Sequence, residues 1–255
     1  MRKLSAGFFL LLLFSTAKAQ WAQISSQAEA SPAKGIEHRY VVMEDAATGD
    51  RASLELAIFS MKSCRLTVVD RANEPRADLE DVMSGGNFLA GVNGGYFDPE
   101  YRPIGLLVVD GKVVTPLQKA RLLTGVLSSV AKKVQISRVS EFSMNQKPDA
   151  AVECGPMIVD AGKSVHGLES TKTAQRTFAA VATGDKAAIG FCSDVTLADL
   201  SNVLAAVAIP GFKIQRAINL DGGSSSAFWF KRANGGAFSI GEQKPVRDFV
   251  AIVPR

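Results

Sequence analysis

Two segments of the chain combine residue types that can do chemistry: Asn93-Gly94-Gly95-Tyr96-Phe97-Asp98 and Asn219-Leu220-Asp221-Gly222-Gly223-Ser224. Each follows a small apolar run, Phe88 to Val92 in one case and Ala217-Ile218 in the other. Each then delivers a carboxamide, a glycine pair and a carboxylate into a loop. Glycine permits positive φ and a close approach of backbone to ligand. Successive free N–H groups in such loops form nests for anionic oxygens. Ser224, Ser225 and Ser226 add hydroxyls beside the second loop. Taken singly, either loop reads as an ordinary tight turn. Together they point to a site without naming a reaction.

The elements that must position these loops are mostly short strands. Gly105–Asp110 and Lys112–Thr115 flank an Asp110-Gly111 turn, a pair that favours the type I′ geometry of hairpins. A similar pattern covers Pro156–Asp160 with Gly162 following. A third runs from Phe178 to Thr183, turns at Gly184-Asp185 and returns through Ala187 to Phe191. His38–Met43 reads as the first strand. Helices are fewer. Thr196 with Asp199 three residues on resembles a capping box ahead of Leu197, Leu200, Val203, Leu204 and Val207, which share one helical face. Pro210-Gly211 stops that helix, and Leu79–Met83 belongs to a shorter one. These features predict an α+β fold: a single domain with a mixed, largely antiparallel sheet and a few covering helices.

The chain opens on Arg2 and Lys3, an apolar run from Phe8 to Phe14, and Ala17-Lys18-Ala19, the pattern of a signal peptide over residues 1–19. The run is too short to span a bilayer core of about 30 Å, so no stable membrane span is expected after cleavage. No cysteine follows it to carry a lipid. Export places the protein in a periplasm or outside the cell. Residues 20–35, rich in Ala, Ser and Gln, read as a flexible lead-in to a domain over 36–255. Loss of Arg2, Lys3 and Lys18 takes Lys+Arg from 29 to 26 against 25 Asp+Glu. That removes the global case for a nucleic-acid partner. Cys64, Cys154 and Cys192 allow two readings of equal weight: one disulfide with a spare thiol, or three buried thiols.

The order of Asn-Gly-Gly-Tyr-Phe-Asp at 93–98, Cys-Gly-Pro-Met-Ile-Val at 154–159, Arg176-Thr177 and Asn-Leu-Asp-Gly-Gly-Ser-Ser at 219–225 resembles the phosphodiester glycosidase family. The likeness runs from about Ile36 to Arg255. It implies hydrolysis of the glycosidic C–O bond of a sugar-1-phosphodiester. The transition state of such cleavage is oxocarbenium-like, and a carboxylate can stabilise or attack it. The phosphate leaving group needs a cradle of N–H groups, hydroxyls and a guanidinium more than it needs a strong general acid. The resemblance thus makes Asp221 the first candidate for nucleophile or base, with Asp98 as its partner and Glu153 as the reserve carboxylate. Arg176 and the Gly222-Gly223-Ser224 segment would hold phosphate. Asn93 would hold the sugar or orient a carboxylate, and Gly94, Gly95 and Asn219 would shape the same cleft. Glu153 stands where relatives often carry an amide, and Phe178-Ala179-Ala180 replaces their small-aliphatic-Gly run.

Asp98, Asp221 and Glu153 are hard oxygen donors that could take a divalent cation, although nothing in their spacing demands one. No cofactor is otherwise implied. His38 reads as structural on its strand, and His166 as an exposed loop residue. Two other function classes stay open: a non-catalytic glycan- or envelope-binding domain, and a phosphodiesterase attacking phosphorus. An exported chain would meet envelope or extracellular glycans, exopolysaccharide among them. Oligomeric state has no signature in the sequence.

Overall fold

A computed structural model describes residues 20–72 and 77–255; the signal-peptide reading falls outside these residues. Three sheets make up the architecture. The largest holds eight strands, in spatial order Trp21–Ala30, Ile36–Asp45, Arg51–Ser60, Lys186–Val195, Ala174–Ala182, Ile214–Asn219, Met157–Asp160 and Lys163–Ser164. A five-stranded sheet runs Lys112–Thr115, Leu107–Val109, Ala150–Cys154, Gly125–Val130 and Lys133–Arg138. The third runs Ala237–Ile240, Phe228–Lys231, Ala90–Asn93, Asp248–Pro254 and Cys64–Asp70.

Period-two alternation decides which face of each strand is buried where. In Arg51–Ser60, Ala57 and Phe59 enter the core shared by all three sheets, which also takes Leu66, Val92, Leu127 and Val250. Leu54, Leu56 and Ile58 point the other way, under the helix Leu197–Ala206 and its buried Leu200, Val203 and Leu204. The short helix Leu79–Ser84 covers the outer face of the third sheet with Leu79 and Met83. Both faces of the central strands are therefore dry, which explains their near-continuous apolar runs.

The expected hairpins form. Asp110 and Gly111 both have positive φ, at 47° and 75°, as the type I′ turn requires. Ala161-Gly162 and Gly184-Asp185 close the other two with positive φ as well. Thr196 caps its helix by accepting from the Asp199 N–H at 3.1 Å. The fold is largely β, which corrects the α+β assignment. Every strand pairing among the described residues is antiparallel rather than mixed, and α-helix is confined to two segments. Long pairings such as Arg51–Ser60 with Lys186–Val195 join residues as far apart in sequence as Leu54 and Cys192 and carry no turn signal to announce them.

A second correction concerns the lead-in. Trp21–Ala30 is an ordered edge strand paired along its length with Ile36–Asp45. Its polar surface misled the periodicity reading, because an edge strand over solvent needs few apolar residues. Trp21 alone is buried, at 7 % exposed. All three cysteines are buried free thiols. Removing residues 20–30 should therefore lower Tm by at least about 3 °C, since Trp21 burial alone is worth about 1.5–3 kcal/mol. A Tm equal to that of the intact protein would restore the flexible reading.

Candidate active site

The two glycine loops meet. Asn93 ends its strand fully buried, and its carboxamide makes three hydrogen bonds. Nδ2 donates to the Asp221 carbonyl at 2.8 Å, while Oδ1 accepts from Thr177 Oγ1 at 2.7 Å and from the Ala227 N–H at 3.1 Å. The Asp221 N–H in turn donates to the Gly94 carbonyl at 3.1 Å. Asn93 was expected to hold the sugar or orient a carboxylate; its side chain is spent inside the protein, where it holds the backbone of Asp221 and positions the loops. Asn219 is likewise internal, donating to the carbonyls of Gly155 and Leu220.

Gly94 and Gly95 are needed for space rather than for unusual φ. A Cβ on Gly94 would lie 1.9 Å from Asp248 Oδ1, and one on Gly95 would lie 2.9 Å from Val152 Cγ1. The Gly95 N–H donates to Asp248 Oδ1 at 2.9 Å, and the Gly94 N–H donates to the Asp248 carbonyl at 2.8 Å. Asp248 was not anticipated. It opens the last strand, 1 % exposed, and its Oδ2 has no hydrogen-bond partner. Burial pushes its carboxyl up to about 7. The signal available in sequence was a carboxylate at the head of the apolar run Phe249–Val253.

Asp221 itself is half-buried. Its Oδ1 accepts from the Gly222 N–H at 2.9 Å, and the Ser225 side chain offers a further hydrogen bond. Burial outweighs both and raises its carboxyl above the ordinary 3.8. Around it stand Tyr96, Cys154 and Asp248, each pushed upward chiefly by burial. The Tyr96 hydroxyl donates to the Gly155 carbonyl at 2.5 Å, which ties the Cys-Gly-Pro turn to the first glycine loop. Gly222, Gly223 and Ser224 are half-buried beside Asp221, with Gly223 at φ +63° and open space around it.

Arg176 flanks this segment. A Cβ on Gly222 would sit 3.8 Å from its Nη1. Its Nε and Nη2 donate to the carbonyls of Val195 and Lys172 at 3.1 and 2.8 Å. These bonds fix the guanidinium plane without neutralising its charge. Burial lowers its pKa, a shift that leaves an arginine charged.

Two expected carboxylates lie elsewhere. Asp98 is bound within its own exposed turn, accepting from Arg102 Nε at 2.7 Å and from the N–H groups of Arg102 and Glu100. Those bonds, led by the Arg102 N–H, hold its carboxyl below the usual value. Glu153 is fully buried and anchors two loops, its Oε2 accepting from the N–H groups of Leu106 and Gln118 at 2.8 and 2.9 Å. Sequence spacing gave no means of telling these turn and anchor roles from catalysis. Among the described residues, no three His, Cys, Asp or Glu side chains converge as metal ligands, so the carboxylate trio considered for a cation is not assembled.

An antiparallel β-rich domain with glycine loops joined around a half-buried carboxylate and a fixed guanidinium defines the class. The family model of phosphodiester glycosidases matches residues 86–253, and the chain belongs to that family. The uncharacterised protein YigE of Escherichia coli K12 is 31% identical over 91 residues, a match spanning 33% of this chain and 36% of YigE. The catalytic domain of zebrafish N-acetylglucosamine-1-phosphodiester alpha-N-acetylglucosaminidase, auto-inhibited by its pro-peptide, superposes with a TM-score of 0.65 at 15% identity, covering 91% of this chain and 88% of that one. A hypothetical protein from Synechocystis superposes at 0.60 and 13% identity, over 87% and 62% respectively. At these identities the superpositions establish the fold.

The buried Asp248 makes stability depend on pH. Its unfolded value is near 3.8 and its folded value about 7, so between those limits the unfolded chain binds fewer protons. Stability contributed by the protonated group is complete below pH 3.8 and declines as pH rises to 7, with a limiting slope of about 1.4 kcal/mol per pH unit. Asp248→Asn should flatten the fall in Tm across this window. An unchanged pH profile in the variant would show that Asp248 is ionised in the fold throughout.

Proposed function

We propose that the protein is an exported hydrolase that cleaves the glycosidic C–O bond of sugar-1-phosphodiesters in cell-envelope or extracellular glycans. Family membership supports hydrolysis of this bond class, and the domain of the same fold from zebrafish bears the name of such an activity. The observation that carries the reading is Asp221: a half-buried carboxylate, raised by burial, at the lip of a glycine–serine segment that a fixed guanidinium flanks. The leader over residues 1–19 supports export, and the first strand begins at Trp21, just beyond the expected cleavage after Ala19.

In this reading Asp221 acts at the sugar C1, as nucleophile or as base for water. The C1–O bond breaks, its electron pair stays on the phosphate oxygen, and water supplies the hydroxyl of the free sugar and a proton. Arg176 and the Gly222–Ser224 segment hold the phosphate. The departing phosphomonoester is already a stable anion, so no strong acid need stand opposite Asp221. That fits a site in which neither Asp98 nor Glu153 joins it.

Turnover of a panel of sugar-1-phosphodiesters, with product analysis, tests this. Free reducing sugar plus phosphomonoester is expected, with Asp221→Asn slower by about a thousandfold or more. The native rate should rise with pH through an acid limb above the ordinary aspartate value, and that limb should vanish in the variant. Sugar phosphate plus alcohol would place the attack at phosphorus. Sugar binding without turnover would identify a binding domain.

A further inference from the structure

We propose that a cavity between the N-terminal edge of the large sheet and the third sheet is a second, non-catalytic site that binds a neutral saccharide. The cavity measures about 530 Å³, within the usual range for small-molecule sites. Its floor is His38, only 6 % exposed and set among the rings of Phe228, Phe230 and Phe238 at centroid distances of 5.4, 5.2 and 4.9 Å. His38 Nε2 lies 2.6 Å from Glu55 Oε2. Glu55 is itself buried at 8 % exposed, and this bond leaves its Oε1. On the other side, His38 Nδ1 stands 3.7 Å from Glu29 Oε2, too far for a hydrogen bond. Glu29 is held by Arg232 Nε at 3.1 Å, and that guanidinium lies 5.6 Å over the Phe238 ring. Tyr40 and Gln27 add a phenol and a carboxamide to the wall.

The mixture of groups selects the ligand class. Two carboxylates face the cavity, so phosphate or another anion would be repelled. Arg232 disfavours a simple cation, and Glu29, His38 and Glu55 do not converge as metal ligands. What remains is a neutral molecule with many hydroxyls. Carboxylate, guanidinium, imidazole, phenol and carboxamide together offer acceptors and donors around a ring, and charged partners strengthen each such bond. Phe238 supplies apolar wall for the C–H side of a sugar. The site also explains a cost: a buried imidazole and a buried carboxylate are retained in a place where an apolar pair would pack as well. This inference does not depend on the catalytic reading of Asp221.

The chain has two histidines, so the His38 ring can be followed by NMR without crowding. The protein would be titrated with glucose, galactose, N-acetylglucosamine and rhamnose, and separately with inorganic phosphate and Mg²⁺. At least one sugar should bind saturably and shift the His38 ring signals. Asp221→Ala should leave this binding unchanged, while Glu29→Gln and Tyr40→Phe should weaken it, Glu29→Gln by about tenfold. Binding that leaves the His38 signals still, or that is lost in Asp221→Ala and kept in Glu29→Gln, would overturn the site. So would silence with all four sugars, or a stronger response to phosphate or Mg²⁺. Should either cavity variant fail to fold, the His38 shifts of the native protein decide the matter alone.

Discussion

The buried carboxamide of Asn93 is the joint on which the site depends. Its donor holds the Asp221 backbone, which follows a strand of the large sheet, and its acceptor takes Thr177 Oγ1 from the neighbouring strand of that sheet and the Ala227 N–H that leads into the third. Asparagine suits the position because it presents a donor and an acceptor on one short, uncharged stem. An aspartate would forfeit the donor and bury a charge, and an alanine would orphan all three partners, each at a cost of about 1–3 kcal/mol. The joint therefore locks two sheets together and fixes Asp221 in one act. Catalytic geometry and folding stability share the same bonds.

Close packing beneath that joint sets the electrostatics. Gly94 admits Asp248, and Gly95 admits Val152, so near the backbone that a side chain at either glycine would displace something. The carboxyl so enclosed loses water and keeps its proton near neutral pH. Tyr96 and Cys154 are enclosed with it and stay protonated for the same reason. Four acidic groups thus crowd one region; Asp248 and Cys154 are fully buried, whereas Tyr96 and Asp221 are half-buried, and Asp221 accepts the Gly222 N–H. Burial raises the Asp221 carboxyl as well, and that carboxyl stands half-buried at the lip of the glycine–serine segment. Arg176 then provides positive charge on the far side of Gly222, with its orientation fixed by carbonyls rather than by a counter-ion.

Much of this could be read from residue order, and the limits have physical causes. Local signals were reliable: Asp110-Gly111 made its turn, Thr196 capped its helix, and the glycine pairs lay at strand ends. A half-buried carboxylate beside Gly222-Gly223 was also legible, because glycines after a strand expose whatever precedes them. Asp98 was not separable from Asp221 by type or spacing, since an aspartate that closes its own turn onto Arg102 looks the same in sequence. Asp248 escaped notice because its part is defined by Gly94, some 150 residues earlier. Trp21–Ala30 escaped because an edge strand over solvent needs a partner's backbone, and hydrophobic periodicity records side chains only.

The same distinction between local and distant signals bears on the chemistry. A retaining or inverting glycosidase acting on an ordinary glycoside needs a second carboxyl to protonate the leaving oxygen, placed opposite the first. Here the two carboxylates that sequence offered for that duty are committed elsewhere, one to a surface turn and one to loop anchoring. The remaining candidate, Asp248, is sealed beneath two glycines. The Arg176 guanidinium lies beside Gly222 in the same segment, a group that suits an anionic leaving group and does nothing for a neutral one. Among the described residues around Asp221, the proposed reaction therefore uses a cationic group for a phosphate and no second carboxylic acid for an alcohol. On the proposed reading, the charge distribution favours an anionic leaving group, and the sugar would be selected by the walls around it.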